Sequence, residues 1–137
     1  MPYPEKIEYS QLEVGYEFPP STFVLDPVTV ATYIAAVEET SSLYQDAGLV
    51  PPSAIAAYAQ AALAAKISLL AGTIHVSQEL EFLATVNVGE TIKSHAMVSR
   101  KQERSKMRLL SVDLKVFDQN SRLVMKGKTS FILPDAV

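Results

Sequence analysis

"SAIAAYAQAALAAKISLLAG", residues 53–72, is the stretch on which the reading of this chain turns. It follows Pro51–Pro52 directly, and a proline pair with a serine behind it predicts a helix starting near Ser53. Ile55, Tyr58, Leu63, Ile67, Leu69 and Leu70, with alanines between them, make that helix apolar on nearly every side. A helix of this kind must be covered all round. Alanine lets a neighbouring backbone come close, so a broad curved sheet is the natural cover. The length is near the roughly 20 residues of a membrane span. Alanine gains little from lipid, however, and Gln60 and Lys66 sit in the interior, where a lysine costs about 2.5–3.5 kcal/mol on insertion. The expectation is a buried helix in a soluble domain, with no membrane partner.

The flanking sequence supplies the cover. "STFVLD" (21–26) reads as a short strand, and "DPVTVATYIAAVEE" (26–39) as a helix. Asp26 is a good N-cap, Pro27 suits the first helical position, and Val30, Ile34 and Val37 share one face. "TSSLYQDAGLVPP" (40–52) reads as a loop. Beyond the central helix, "HVSQELEFLATV" (75–86) and "TIKSHAMVSR" (91–100) are strands separated by "NVGE", with Gly89 as the turn residue. "RLLSVDLKVFD" (108–118) alternates: Leu110, Val112, Leu114 and Val116 face one way, Ser111, Asp113 and Lys115 the other. "DQNS" (118–121) is a hairpin turn into "RLVMKGKTSFIL" (122–133). This order predicts an α+β arrangement, an antiparallel sheet curved around one long helix.

Composition bounds the function. At 137 residues the chain is expected to be a single domain, 1–137, and 48% hydrophobic against 20% charged residues argues against disorder. A net charge of −3 offers no general attraction for nucleic acid or an anionic membrane. The absence of cysteine excludes a disulfide scaffold, a thiol nucleophile and thiolate metal ligands. The N-terminal "MPYPEKIEYSQLEVG" has charges and prolines but no apolar signal core, and together these features predict a cytoplasmic protein.

In this order the chain resembles the MaoC-like dehydratases, a hotdog-fold family that includes (R)-specific enoyl-thioester hydratases. The resemblance runs from about Val14 to Pro134 and is carried by four pieces: "VGYEFPPSTFVL", "ATYIAAVEETSSLY", "LVPPSAIAAYA" and "HVSQELEFLATVNVGETI". It implies a curved antiparallel sheet around the long helix, and dimers that join two sheets edge to edge, as a homodimer or with a different hotdog subunit. It also implies an acyl chain carried on coenzyme A or acyl carrier protein, entering near the start of the helix. No cofactor beyond that carrier is expected.

The family's working stretch reads roughly G-D-x-N-P-x-H, its Asp and His handling the water of an enoyl-thioester hydration. The matching stretch here is "EETSSLY", residues 38–44. By resemblance Glu38 stands at the Gly, Glu39 at the Asp, Ser41 at the Asn, Ser42 at the Pro and Tyr44 at the His. Glutamate can serve as base or proton donor with a side chain one methylene longer. A tyrosine with a pKa near 10 is a poor base at neutral pH, although it donates hydrogen bonds. Positioned acid–base catalysis is worth about 10²- to 10⁴-fold, so the loss of histidine is serious. The family's thioester oxygen is held by a backbone N–H at the helix start, where this chain has Pro52, which has none. Losing such a donor costs about 2.7–4 kcal/mol in comparable sites, and Ser53 is the nearest substitute.

The resemblance therefore supports two main expectations. One is an enoyl-thioester hydratase or dehydratase using Glu39 and Tyr44, with Ser41, Pro52 and Ser53 around the substrate. The other is a non-catalytic acyl-thioester-binding subunit that shapes a tunnel and stabilises a partner. A hotdog acyl-CoA thioesterase ranks third, because the central helix carries no acid and Glu38, Glu39 or Asp46 would have to supply one. Plainer readings stand beside these: Glu39 as a solvated helix-end carboxylate, Tyr44 as a packed phenol, Asp46 as a loop residue. His75, Glu79 and Glu81 would share one face of a regular strand, as metal ligands do, but nothing else points to a metal. "SRKQERSKMR" (99–108) reads as a solvated connection, or as a contact for coenzyme A phosphates or an acidic carrier protein.

Overall fold

The computed structural model describes residues 6–134; Met1–Glu5, the first part of the charged N-terminus, and residues 135–137 lie outside them. Five strands form one antiparallel sheet: β1 (Ser21–Val24), β2 (Ile74–Phe82), β3 (Thr91–Arg104), β4 (Met107–Asp118) and β5 (Leu123–Pro134). Their order across the sheet is β1-β3-β4-β5-β2. The helices are α1 (Pro27–Ala36), the single turn α2 (Ser42–Gln45) and the central α3 (Pro52–Ala64).

The alternation read in β4 positions the core. Leu110, Val112, Leu114 and Val116 are buried on the concave face with Val98, Met125, Phe131 and Leu133. Against them α3 packs Ala54, Ile55, Ala56, Ala59 and Leu63. At a small residue the backbones come close: a Cβ on Gly127 of β5 would lie 2.5 Å from the Glu79 carbonyl oxygen of β2. α1 starts as its caps predict, with Asp26 Oδ1 accepting from the Thr29 N–H (2.8 Å), Oδ2 accepting from Thr29 Oγ1 (3.0 Å), and Pro27 in the first turn. Val30 and Ile34 are buried as expected, but Val37 is the C-cap and stands exposed.

Three expectations are corrected by the fold. The central helix ends at Ala64, not near Gly72, because the chain beyond it bonds to the N-terminal segment instead of to itself. The Ile7 N–H donates to the Lys66 carbonyl (2.9 Å) and the Ser68 N–H to the Ile7 carbonyl (2.8 Å). The Lys66 ammonium donates to the Pro19 carbonyl and to Ser21 Oγ, and its burial lowers its pKa. Second, residues 99–108 are mostly solvated as expected, but they do not leave the sheet. β3 and β4 continue through them and turn at Ser105–Lys106, and Lys101 and Arg108 lie over the Tyr9 ring at 4.8 and 4.9 Å. Third, β2 stops at Phe82, after which Val86 turns inward to accept the Val50 N–H at 2.8 Å.

Two surfaces stay open. All nine residues of β2 are exposed along a sheet edge that pairs only with β5. Ala57, Ala61 and Ala64 on α3 are exposed too, with Ala65 at its C-cap, so the sheet covers one side of the helix and leaves an alanine face. No helix among the described residues is long and apolar enough to cross a membrane.

Candidate functional site

The "EETSSLY" stretch begins where α1 ends, and backbone geometry determines what its side chains can reach. The Glu38 N–H donates to the Ala35 carbonyl (3.3 Å) and the Glu39 N–H to the Ile34 carbonyl (3.1 Å), a paired closure of the last turn. Glu38 has φ 56°, the left-handed conformation that glycine adopts at least cost. This is the position at which the resembled motif carries its Gly.

Glu39 then folds back on its own loop. Its Oε1 accepts from the Thr40 N–H (3.0 Å) and the Ser41 N–H (2.9 Å), and its carbonyl accepts from Gln45 Nε2 (2.9 Å). Ser41 caps α2, with Oγ accepting from the Leu43 N–H at 3.3 Å. The turn α2 is thus seated by Glu39 on one side and Ser41 beneath it. It carries Tyr44, half-buried against the core.

Two hollows flank α2. One, of about 350 Å³, lies between α2, the start of α3 and the chain leaving β2. Leu43, Leu49, Pro52, Ile55 and Phe82 help to line it; among the described residues, Tyr44 and Thr85 are the only lining ones with a polar side-chain atom. The other, of about 480 Å³, lies between α2 and α1 and includes Glu38, Glu39, Thr40 and Gln45 beside Ile34 and Val88. Tyr44 lines both. No histidine lines either.

The start of α3 offers little to a substrate oxygen. Pro52 has no N–H, and the Ala54 N–H is taken by the Pro51 carbonyl at 2.9 Å, which leaves Ser53 as the first donor. Ser53 turns toward α1: its Oγ accepts from the Tyr33 hydroxyl at 2.7 Å. Burial, with Tyr33 and Asp26 adding to it, pushes the neighbouring Tyr58 phenol above its ordinary pKa. Of the five residues singled out in the sequence, Glu39, Tyr44 and Pro52 border the two hollows. Ser41 acts beneath them as a cap, and Ser53 is engaged by Tyr33.

The histidines lie elsewhere. His95 is on the convex face, edge-on to Phe117 at 5.4 Å. His75 Nε2 sits 2.7 Å from Thr129 Oγ1 on the concave face. A bulge at Val76 separates His75, opposite Phe131, from Glu79 and Glu81, opposite Lys128 and Lys126. Facing pairs across a ladder share a side, so His75 points away from the two glutamates and the three do not converge. Glu81 pairs with Lys126 at 3.4 Å instead. Residues that the sequence did not single out include Gln45, Tyr33 and the 82–86 segment. Tyr33 and Gln45 carry no local signal of these roles, and "FLATV" reads as more strand.

A five-stranded antiparallel sheet in this order, curved around one helix, is the hotdog fold. Within it, the chain is similar to R-hydratase PhaJ1 from Pseudomonas aeruginosa, with a TM-score of 0.82 and 22% identity over 96% of this chain and 88% of that one. It is also similar to the (R)-hydratase from A. caviae involved in PHA biosynthesis (TM-score 0.77, 22% identity, 90% and 98% covered). A third likeness is to the C-terminally truncated HadBC complex, a 3R-hydroxyacyl-ACP dehydratase from Mycobacterium tuberculosis (0.66, 18%, 87% and 96%). No protein-family model and no curated protein matches the sequence. At these identities the likeness establishes the shared fold.

Proposed function

We propose that this chain is a MaoC-like acyl-thioester-binding protein, a single domain on a hydratase/dehydratase scaffold, whose own hydration chemistry has been lost. It takes an acyl chain carried on coenzyme A or acyl carrier protein, needs no other cofactor, and works in the cytoplasm beside another hotdog chain. The observation that carries this reading is the state of Glu39. Its Oε1 is committed to two backbone N–H groups of its own loop, and the residue following the family spacing is a tyrosine, not a histidine. A carboxylate seating a turn is a positioning group, and Glu38, the second carboxylate bordering a hollow, is an exposed residue of the left-handed turn that closes α1. Pro52 removes the backbone donor on which the family relies.

The exposed edge of β2 and the alanine face of α3 favour a partner chain, since an unpaired edge strand is an association site. One relative in fold, HadBC, is itself a two-component complex. A partner with an intact Asp and His would supply the chemistry. Light scattering of the purified protein, alone and with a candidate hotdog partner, distinguishes homodimer from heterodimer.

A second reading, an active enoyl-thioester hydratase, is favoured by one fact: Glu39 and Tyr44 border the same hollow. The two readings part on Glu39→Gln, which keeps a carbonyl oxygen for the loop N–H groups but cannot act as a base. Loss of the enoyl absorbance of crotonyl-CoA and of a longer enoyl-CoA is followed for wild type, Glu39→Gln and Tyr44→Phe, with binding measured by calorimetry. We expect binding without turnover, and Glu39→Gln binding like wild type. Turnover in the wild type that drops about 10²-fold or more in Glu39→Gln sinks the binding-only reading. Release of free coenzyme A would instead favour a thioesterase, although α3 (Pro52–Ala64) carries no acid.

A further inference from the structure

We infer that Tyr44 is the partition that sets the acyl length this protein accepts, an inference that rests on the thioester reading above. α2 is a single turn standing between two hollows, and among the described residues Tyr44 is the one on the walls of both. The hollow on the α3 side is apolar: Leu43, Leu49, Val50, Ile55, Phe82 and Leu83 border it. That lining suits a hydrocarbon tail and nothing charged. The hollow on the α1 side shares the Tyr44 wall and is bordered by Val30, Ile34 and Val88 as well as by Glu38, Glu39, Thr40 and Gln45. A tail lying in the first therefore meets the Tyr44 ring, which separates it from the apolar wall of Val30, Ile34 and Val88 in the second.

The ring is held for this task. Tyr44 is packed against the core, and its turn is seated by Ser41 and by the Glu39 carboxylate and carbonyl. A side chain fixed at both its ring and its backbone cannot swing aside at small cost. Glu39 and Ser41 thus act on ligand length through Tyr44, as positioning residues. A histidine here would be a smaller wall, so the exchange to tyrosine changes the shape of the site as well as its acid–base chemistry.

The test is calorimetric titration of the full-length protein with saturated acyl-CoAs from butyryl to dodecanoyl, with coenzyme A as the reference. Each buried methylene tightens binding about fourfold until the tail reaches the partition, after which affinity levels off. Tyr44→Phe keeps the ring and leaves the plateau where it is. Tyr44→Ala joins the hollows and moves the plateau by about two methylenes or more, an affinity gain of roughly fifteenfold for the longer chains. Tyr44→Leu, which still packs against the core, opens the wall part-way and decides the matter if Tyr44→Ala does not fold. A plateau unmoved in a folded Tyr44→Leu or Tyr44→Ala overturns the partition alone. Wild-type protein that binds none of the series better than coenzyme A refutes the thioester reading, and the partition with it.

Discussion

Replacing Glu38 with glycine should make this protein more stable, against the usual effect of glycine near a helix. Glu38 sits at φ 56° in the turn that closes α1. An L-residue held in that conformation costs about 1–2 kcal/mol. Glycine escapes that cost but loses about 0.5–1 kcal/mol more chain entropy on folding, so the backbone gain is about 0.5–1 kcal/mol. Glu38 also places a negative charge at the negative end of α1. Removing it adds about 0.3 kcal/mol at such an exposed position. Glu38→Ala separates the two effects, because alanine removes the charge and keeps the strained backbone. Expected gains are about 1 kcal/mol for Glu38→Gly and about 0.3 kcal/mol for Glu38→Ala. Urea unfolding measures both from the midpoint at unchanged slope, and thermal unfolding should rise by about 4 °C for the glycine variant. A Glu38→Gly protein no more stable than Glu38→Ala would refute the reasoning, since the closing turn would then not hold residue 38 left-handed.

Two more predictions concern the sheet. Gly127→Ala places a methyl 2.5 Å from the Glu79 carbonyl oxygen and 3.0 Å from Leu80 Cδ2, and should cost about 1–3 kcal/mol in urea unfolding, with β2 the strand displaced; a neutral result would mean that β2 is not packed onto β5 there. Asp118 in the β4–β5 turn is held below its ordinary pKa of 3.8, first by the Arg122 N–H and then by the Asn120 N–H and the Arg122 guanidinium, with burial opposing them. A lowered folded pKa means that its stabilisation is present above about pH 4 and is lost as pH falls through the folded value, so the urea midpoint should drop between pH 5 and pH 3, with a shallower drop in Asp118→Asn.

Much of the fold was legible because period and capping carry it. The alternation in residues 110–116 marks the buried strand, and Asp26–Pro27 and Pro51–Pro52 mark two helix starts. What failed is where a local pattern competes with a distant partner. The apolar run through Leu70 reads as helix, but the backbone at Lys66 and Ser68 is claimed by Ile7, some sixty residues earlier, and no local signal announces that. The basic run at 99–108 looks solvated because charge usually is, yet Lys101 and Arg108 cover an aromatic ring that lies far away in sequence. Of the residues the resemblance singled out, Glu39, Tyr44 and Pro52 border hollows in the fold. The commitment of the Glu39 carboxylate to its own loop was not legible, because it depends on a turn of backbone two residues long.

The order of the strands also has a kinetic meaning. β3, β4 and β5 are neighbours both in sequence and in the sheet, joined by turns at Ser105–Lys106 and 119–122. β1 and β2 reach their places only by pairing with strands well downstream. A three-stranded meander can therefore form early from local contacts, while the two outer strands wait for long loops to close. The same hierarchy should reappear in the native state as amide protons that exchange slowly in β4 and much faster along β2, so the exposed edge strand is also the first to let go.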